Sequence, residues 1–444
     1  MRTGLALFVF CLPLVSQVAN RRTFRLSELK TQPGYEVTVF ATIAGGPRHM
    51  TIGPNGVLYA AARGNGTIVA VPMMGQQVVA LRGLNGPHTV EFREGFLYIG
   101  VNDGVVRFRN AVTEDYVVRT TAERLLTLPA GGQHSTRTIA IGSDGSIYAS
   151  VGSSCNFCAE ADSRRASVLR FNADGSGQTT FGKGLRNSVG LAWHPRTGEL
   201  WSVDNGGDEL GENEPPDEVN IVKEGADYGW PDCIGKQRPN RWGPQAKPER
   251  CDQTAAPEFE MQAHSAPLGI GFYTGGMLPV AAKNDALVAL HGSWNRPQPV
   301  GYKVVRLRAA TGAVTAAEDF LWGFLDTASR TTSGRPVHAI TGPDGAVYVS
   351  DDATGNIYRV EYKGPRINED GVGRVADNAF FIYGQRLVKD DPALVQVFVN
   401  GLAAEILYVD EGEVGFVMPE GLKGSVTVTL KNELASDEAT ITID

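Results

Sequence analysis

Six of the seven histidines in this chain (His49, His88, His134, His264, His291 and His338) stand at the starts of short apolar runs or in the loops beside them. Arginines accompany them. Arg48 precedes His49, Arg137 follows His134, Arg335 comes shortly before His338, and an Arg186–Asn187 pair opens the run SVGLAW. Taken singly, each histidine is as well explained by a hydrogen bond to a nearby turn. As a set facing one space they would attract a polyanion, because a guanidinium stays charged and grips a carboxylate with two N–H groups. The segment VDNGGDELGENEPPDEVN, from Val203 to Asn220, adds carboxylates, amides and glycine-rich backbone. Those are the oxygen donors of a hard cation such as calcium, although the spacing is not that of an EF-hand. A polyanion site beside a cation site suggests a cofactor with several carboxylates and a divalent metal.

The elements that must position these residues repeat along the chain. HMTIGPNGVLYAA starts at His49, HTVEFREGFLYIG at His88, RTIAIGSDGSIYAS at Arg137, VGLAWHPRTGELWSV at Val189 and HAITGPDGAVYVS at His338; ALVALHGS at Ala286 is a degenerate copy. Each full copy is an apolar strand, a tight turn and a second strand with an aromatic residue near its start. Asn or Asp followed by Gly tolerates the positive φ of a hairpin turn. Hairpins recurring every ~40–60 residues are the pattern of a β-propeller. The expectation is an all-β chain with a six-bladed β-propeller over 35–362. The alternative of β-sandwich modules in series would not repeat one hairpin so regularly.

After Lys363 the texture changes. Residues 363–376 are polar and Gly-rich and read as a linker. Residues 377–444 alternate apolar and polar with period two and read as a small Ig-like β-sandwich. This module resembles the TIG family and the C-terminal modules of exported Acidobacteria proteins, through YGQRL, VFVNGLAAEILYV and VGFVMPEGLKGSVTVTL. It carries no catalytic cluster and reads as an accessory domain.

The N-terminus, MRTGLALFVFCLPLVSQVAN, has a basic residue, an apolar stretch from Leu5 to Val15 too short to span a bilayer, and Ala19 as a cleavage point. Residues 1–19 are expected to be a signal peptide, which makes the protein exported, periplasmic or extracellular. No later segment reads as transmembrane. Outside the leader four cysteines remain, Cys155, Cys158, Cys233 and Cys251, an even number that suits two disulfides in an exported chain. Three pairings are open; the sequence-near ones, Cys155–Cys158 and Cys233–Cys251, each close a loop within one segment. CNFC is not followed by His, which excludes covalent haem attachment. A net charge of −8 without a basic run argues against nucleic acid as a partner.

Taken together and in order, GQHSTRTIAIGSDGSIYASVGSSCNFC, GLRNSVGLAWHPRTGELW, DELGENEPPDEVNIVKEGADYGWPDC, HSAPLGIGFYTG, LHGSWNRPQPVGYKVVRL and GRPVHAITGPDGAVYVSDDATGNIYRV resemble the glucose/sorbosone dehydrogenase family, on its sorbosone side. Its members are exported six-bladed propellers that use pyrroloquinoline quinone (PQQ) and calcium. The resemblance implies His134 as catalytic base and Arg186 and Asn187 as the pair that contacts the quinone. It implies Asn205 and Gly206 as the calcium turn and Arg335 as an arginine for a cofactor carboxylate. His264 would lie beside the cofactor, and Arg296 in GSWNRP supplies a further basic contact. Two departures stand out: Val189 replaces a glutamine, and Asn205–Gly206 replaces Gly-Pro. Both argue against glucose itself as substrate.

The implied chemistry is oxidation of a sugar or a sugar-derived alcohol or aldehyde. His134, with an ordinary histidine pKa near 6.5, would take the hydroxyl proton. Hydride would pass to the quinone, calcium would polarise the quinone carbonyl, and Arg186 would stabilise the developing oxyanion. Electrons would leave to a cytochrome or quinone acceptor that the sequence does not identify. Two other functions fit a propeller: a calcium-dependent lactonase, which needs acidic and Asn side chains in the channel, and a non-catalytic binding protein.

Overall fold

The computed structural model describes residues 19–443. The expected leader lies, apart from Ala19, outside the described residues. The regular structure of the described residues is almost entirely β-strand. The expected hairpin turn recurs with the same bonds in three sheets. In GPNG, GSDG and GPDG the first glycine N–H donates 2.8 Å to the carbonyl four residues on, at Val57, Ser146 and Ala346. The side chain of Asn55, Asp144 or Asp344 accepts from the N–H two residues ahead, and Gly56, Gly145 and Gly345 take φ of 73°, 79° and 81°. The aromatic residue of the second strand packs over the turn. A Cβ on Gly342 would lie 2.0 Å from the Tyr348 ring, so the turn and its aromatic are one unit.

Six sheets, antiparallel except for the short parallel strand Ala226–Asp227 at the edge of the third, follow one another, with first strands Pro47–Ile52, Thr89–Arg93, Ile139–Ile141, Ser188–Trp193, Pro267–Phe272 and Pro336–Thr341. Each first strand lies against the first strand of the next sheet, and the sixth returns to the first. Six buried apolar clusters fill the six gaps between neighbouring sheets. Tyr59, Val90 and Leu97 join the first two sheets, and Ile43, Leu58, Tyr348 and Ile357 join the sixth to the first. The last sheet is completed from the other end of the chain: Tyr35–Thr42 pairs antiparallel with Asn356–Tyr362, from Tyr35↔Tyr362 to Thr42↔Asn356. The fifth sheet borrows Lys30–Thr31 in the same way.

Three expectations are corrected. ALVALHGS does not begin the fifth unit: Ala286–Leu290 is its second strand, and residues 273–285 form a long loop where the other units have a tight turn. Residues 363–376 are not a linker, because Arg366–Arg374 is a strand paired with Ala379–Gln385. Ile367 is buried against the C-terminal core while Asn368, Glu369 and Asp370 after it are exposed, so a mostly polar sequence still makes a strand. Finally, His49, His88 and His338 do not line an open channel. His49 stacks on His338 with ring centroids 4.3 Å apart and packs tilted against His88 at 4.5 Å, and burial keeps all three imidazoles well below the ordinary pKa and therefore neutral.

The C-terminal residues form two four-stranded antiparallel sheets around a core of Ile382, Val399, Phe416 and Val428. They rest on the ring through Arg366 Nε to Leu278 O (3.1 Å) and Tyr362 Oη to Ser436 O (3.1 Å). Both expected disulfides, Cys155–Cys158 and Cys233–Cys251, are formed. No helix among the described residues is long and apolar enough to cross a membrane.

Candidate active site

A cavity of about 430 Å³ is built from the residues just before the first strands of the third to sixth sheets and the loops beside them. His134, Arg186, Asn187, Asn205, Gly206, His264 and Arg335 all line it, together with Asn156, Asp208, Asp217, His291 and Trp294. Seven of the eight residues expected from sequence are thus brought together. The exception is Arg296. Its guanidinium is buried against the carbonyls of Glu212 and Ala263 and the side chain of Asn213, so it ties the acidic loop down instead of facing the cavity. A larger opening, about 580 Å³, lies between the ring and the C-terminal sheets. Its only ionisable lining residues are Asp344 and Arg386, too little for acid–base chemistry.

The second strands of the sheets hold this rim in place. Asp204, at the end of Leu200–Asp204, accepts the backbone N–H of Asn187, and Asp351, at the end of Val347–Asp351, accepts that of Arg335 at 2.9 Å. Burial pushes the Asp204 carboxyl up to about 7. His134 approaches closely because residue 152 is glycine; a Cβ there would lie 2.6 Å from that of His134. The His134 Nδ1–H donates to Ser153 O (2.9 Å), which leaves Nε2 as the lone-pair nitrogen for the cavity. Burial, reinforced by the nearby Arg186 charge, lowers its pKa to about 3. His134 is therefore a neutral, proton-accepting imidazole at every physiological pH, and a weaker base than its ordinary pKa implied.

Arg186 sits inside a shell of oxygens. Its Nη1 donates to Asn205 O (3.2 Å) and Gly206 O (2.8 Å), Nη2 to Asn156 Oδ1 (3.0 Å) and Asp208 Oδ2 (3.3 Å), and Nε to Asn156 O (3.3 Å). Asn156, between the two cysteines of the short disulfide, was not singled out from sequence. Its carbonyl also accepts from Trp230 Nε1 (3.0 Å), which ties residues 228–231 to the site. All the N–H groups of Arg186 are thus engaged, and as folded none is free to meet an oxyanion. The carbonyls of Asn205 and Gly206 converge on one cationic nitrogen. The donor set suits a hard cation, but in this structure the guanidinium takes that place. Asp217 underpins the turn: its carboxylate accepts from Gly206 N (2.8 Å) and Ala266 N (2.9 Å), and burial raises it to about 6.

Arg335 is placed differently. Nε and Nη2 donate to the carbonyls of His291 (3.0 Å) and Gly292 (2.8 Å), and the guanidinium lies over the Tyr302 ring at 5.6 Å. It makes no ion pair among the described residues, so an anion in the cavity would meet an uncompensated charge. That is the feature a polycarboxylate cofactor needs. His264 donates Nε2–H to Gly211 O (2.8 Å) and shapes the wall.

The ring of six sheets thus carries at its strand starts one cavity lined by arginines, histidines and carboxylates. Residues 29–363 match the TrAA12-like family model, three quarters of the chain, and the chain belongs to that family. It is 32% identical over 79% of its length to an uncharacterised protein of Borreliella burgdorferi, covering 95% of that protein. It is 26% identical over 74% of its length to the pyrroloquinoline quinone-dependent pyranose dehydrogenase of Coprinopsis cinerea, spanning 55% of that relative. The Trichoderma reesei protein of Carbohydrate-Active Enzymes Family AA12 shares the fold, with TM-score 0.66 at 22% identity over 75% of this chain and 97% of the other.

Proposed function

We propose that this chain is an exported, PQQ-dependent sugar dehydrogenase built as a six-bladed propeller over 35–362, with the C-terminal sheets from 377 onward as an Ig-like accessory domain. The observation that carries the reading is the pairing, in one cavity, of an open His134 Nε2 with the uncompensated Arg335. The pyranose dehydrogenase relative and the two disulfides support the cofactor and export. The substrate is a sugar or a sugar-derived alcohol or aldehyde, of the kind oxidised on the sorbosone side of the family.

PQQ, when bound, would supply the redox chemistry as hydride acceptor. Arg335 would hold its carboxylates, with Asn187 as a further polar contact in the lining. His134 Nε2 takes the proton of the substrate hydroxyl, and the imidazolium so formed is steadied by Nδ1–H donation to Ser153 O. The decisive experiment is reconstitution with PQQ and calcium, followed by a screen of sugars and sugar aldehydes with an artificial electron acceptor. Binding of PQQ without turnover of any of them would leave a binding protein.

Arg335→Ala is expected to weaken PQQ binding by ~10–100-fold, the loss of a charge-assisted pair, while kcat falls less. Titration of PQQ absorbance or protein fluorescence measures it, and unchanged affinity would remove Arg335 from the cofactor.

Calcium enters this reading as the exchange partner of Arg186. The carbonyls of Asn205 and Gly206 serve one cation at a time, so a bound ion would turn the guanidinium into the cavity and supply a Lewis acid there. Arg186→Ala is therefore expected to bind calcium at least tenfold more tightly than the parent protein by calorimetry. Equal affinities would place the ion elsewhere. The lactonase alternative gains from Asn156, Asn187 and Asp208 in the lining and loses because Arg186 stands among them. Lactone hydrolysis without PQQ in the same screen would favour it.

A further inference from the structure

The cavity contains a second histidine whose surroundings differ from those of His134. His291 lines the cavity just beyond the end of Ala286–Leu290, and its Nε2 lies 2.8 Å from Asp352 Oδ1. Asp352 is shared: its other oxygen pairs with Arg48 Nη1 at 2.5 Å, and Arg48 Nε donates to His88 Nδ1 at 3.3 Å. The backbone carbonyl of the same His291 accepts from Arg335 Nε. The Nδ1 of His291 makes no hydrogen bond among the described residues. His134, by contrast, is held by a carbonyl and the Ser153 hydroxyl, with no carboxylate behind it.

We propose that His291 takes up a proton when a carboxylate docks beside Arg335, and that Asp352 is the residue that positions it for this. The proposal deepens the functional reading above and rests on it. Asp352 accepts the Nε2–H, so a proton gained by His291 goes to Nδ1, the nitrogen left for the cavity. The imidazolium then stands between two anions, Asp352 behind and the docked carboxylate in front. In the free protein the groups that face His291 are Asp352, Arg48 from Pro47–Ile52, and Arg335. Burial, aided by the two arginines and opposed by Asp352, holds the imidazole down at about 4, so it is neutral near pH 7. Burial alone would raise the Asp352 carboxyl, but His291 and Arg48 outweigh it and keep the group ionised. A ligand carboxylate adds a second negative charge beside His291, which raises its proton affinity. The sign follows from linkage: binding is coupled to proton uptake, so affinity rises as pH falls, by at most about tenfold per unit for one proton.

The test is calorimetric titration of PQQ into the full chain at pH 5.5 and pH 7, each in two buffers of different ionisation enthalpy. The expected result is net proton uptake, larger at pH 5.5. His291→Gln should bind PQQ with that uptake reduced and a flatter pH dependence, and Asp352→Asn should reduce it too. Asp204 and Asp217 also titrate in this window, so the difference between parent and His291→Gln is what counts. Uptake that persists unchanged in His291→Gln would overturn the proposal, as would PQQ binding by the parent protein with no uptake; the functional reading survives both. A parent protein that binds no PQQ overturns both readings. If His291→Gln does not fold, the ring ¹⁵N shifts of His291 with and without PQQ decide the question: a shift to the protonated form supports the proposal, and an unchanged neutral ring overturns it.

Discussion

His134→Gln should bind PQQ with near-parental affinity and turn over ~10²–10⁴-fold more slowly, the usual contribution of a positioned general base. Glutamine keeps an N–H for Ser153 O and removes the lone pair on Nε2. Because burial and Arg186 hold His134 at about 3, it stays in its basic form throughout the range from pH 5 to 8. Any acid limb in kcat/KM of the parent protein within that range belongs to another group. Steady-state kinetics of the reconstituted variant, with PQQ affinity measured in parallel, tests the assignment. Turnover within tenfold of the parent would remove His134 from the chemistry.

The second large effect concerns stability. Asp351 is fully buried, and its Oδ1 accepts three backbone N–H groups, from Arg335 (2.9 Å), Ala353 (2.9 Å) and Thr354 (3.1 Å), while Oδ2 accepts the Tyr358 hydroxyl (3.0 Å). Asp351→Ala removes the acceptor of three backbone N–H groups and leaves the Tyr358 hydroxyl only Thr354 Oγ1 at 3.2 Å. At ~1–3 kcal/mol for each stranded donor, reduced by local relaxation, the expected loss is about 3–5 kcal/mol. Asp351→Asn keeps Oδ1 and should recover most of it. Urea unfolding monitored by tryptophan fluorescence measures both variants. A loss below about 1 kcal/mol for the alanine variant would show that water or backbone shifts satisfy these groups. The alanine variant should also weaken PQQ binding, since the same carboxylate fixes the backbone of Arg335.

What could be read from sequence was what is encoded locally. The turns at Gly53, Gly142 and Gly342 use residues whose conformational preferences announce a hairpin, and the aromatic that packs over each turn lies a few positions away. Both disulfides close short loops, and His134, Asn187 and Arg335 stand beside strands that the turns had already located. The fifth unit was misread because residues 273–285 replace its tight turn with a long loop that has no such code. Arg296 and His291 lie in one short stretch, and nothing local says which side chain faces the cavity. That choice depends on the carbonyls of Glu212 and Ala263, far away in sequence, which capture Arg296. His49, His88 and His338 have the same apparent setting as His134, yet the centre of the ring buries them against each other.

The strand Tyr35–Thr42 has a consequence for the order of events during synthesis. It is made early, but its partner Asn356–Tyr362 lies more than 300 residues later, with Thr42 and Asn356 separated by 314 positions. At ~5–20 residues per second the early strand waits about 15–60 s before its partner exists. Throughout that interval YEVTVFAT is an unpaired edge, able to join any strand it meets, including the same segment of another nascent chain. No chain that stops short of residue 362 can complete the last sheet. The ring thus works as a length check: only a chain carried through to its final hairpin can cover its own beginning.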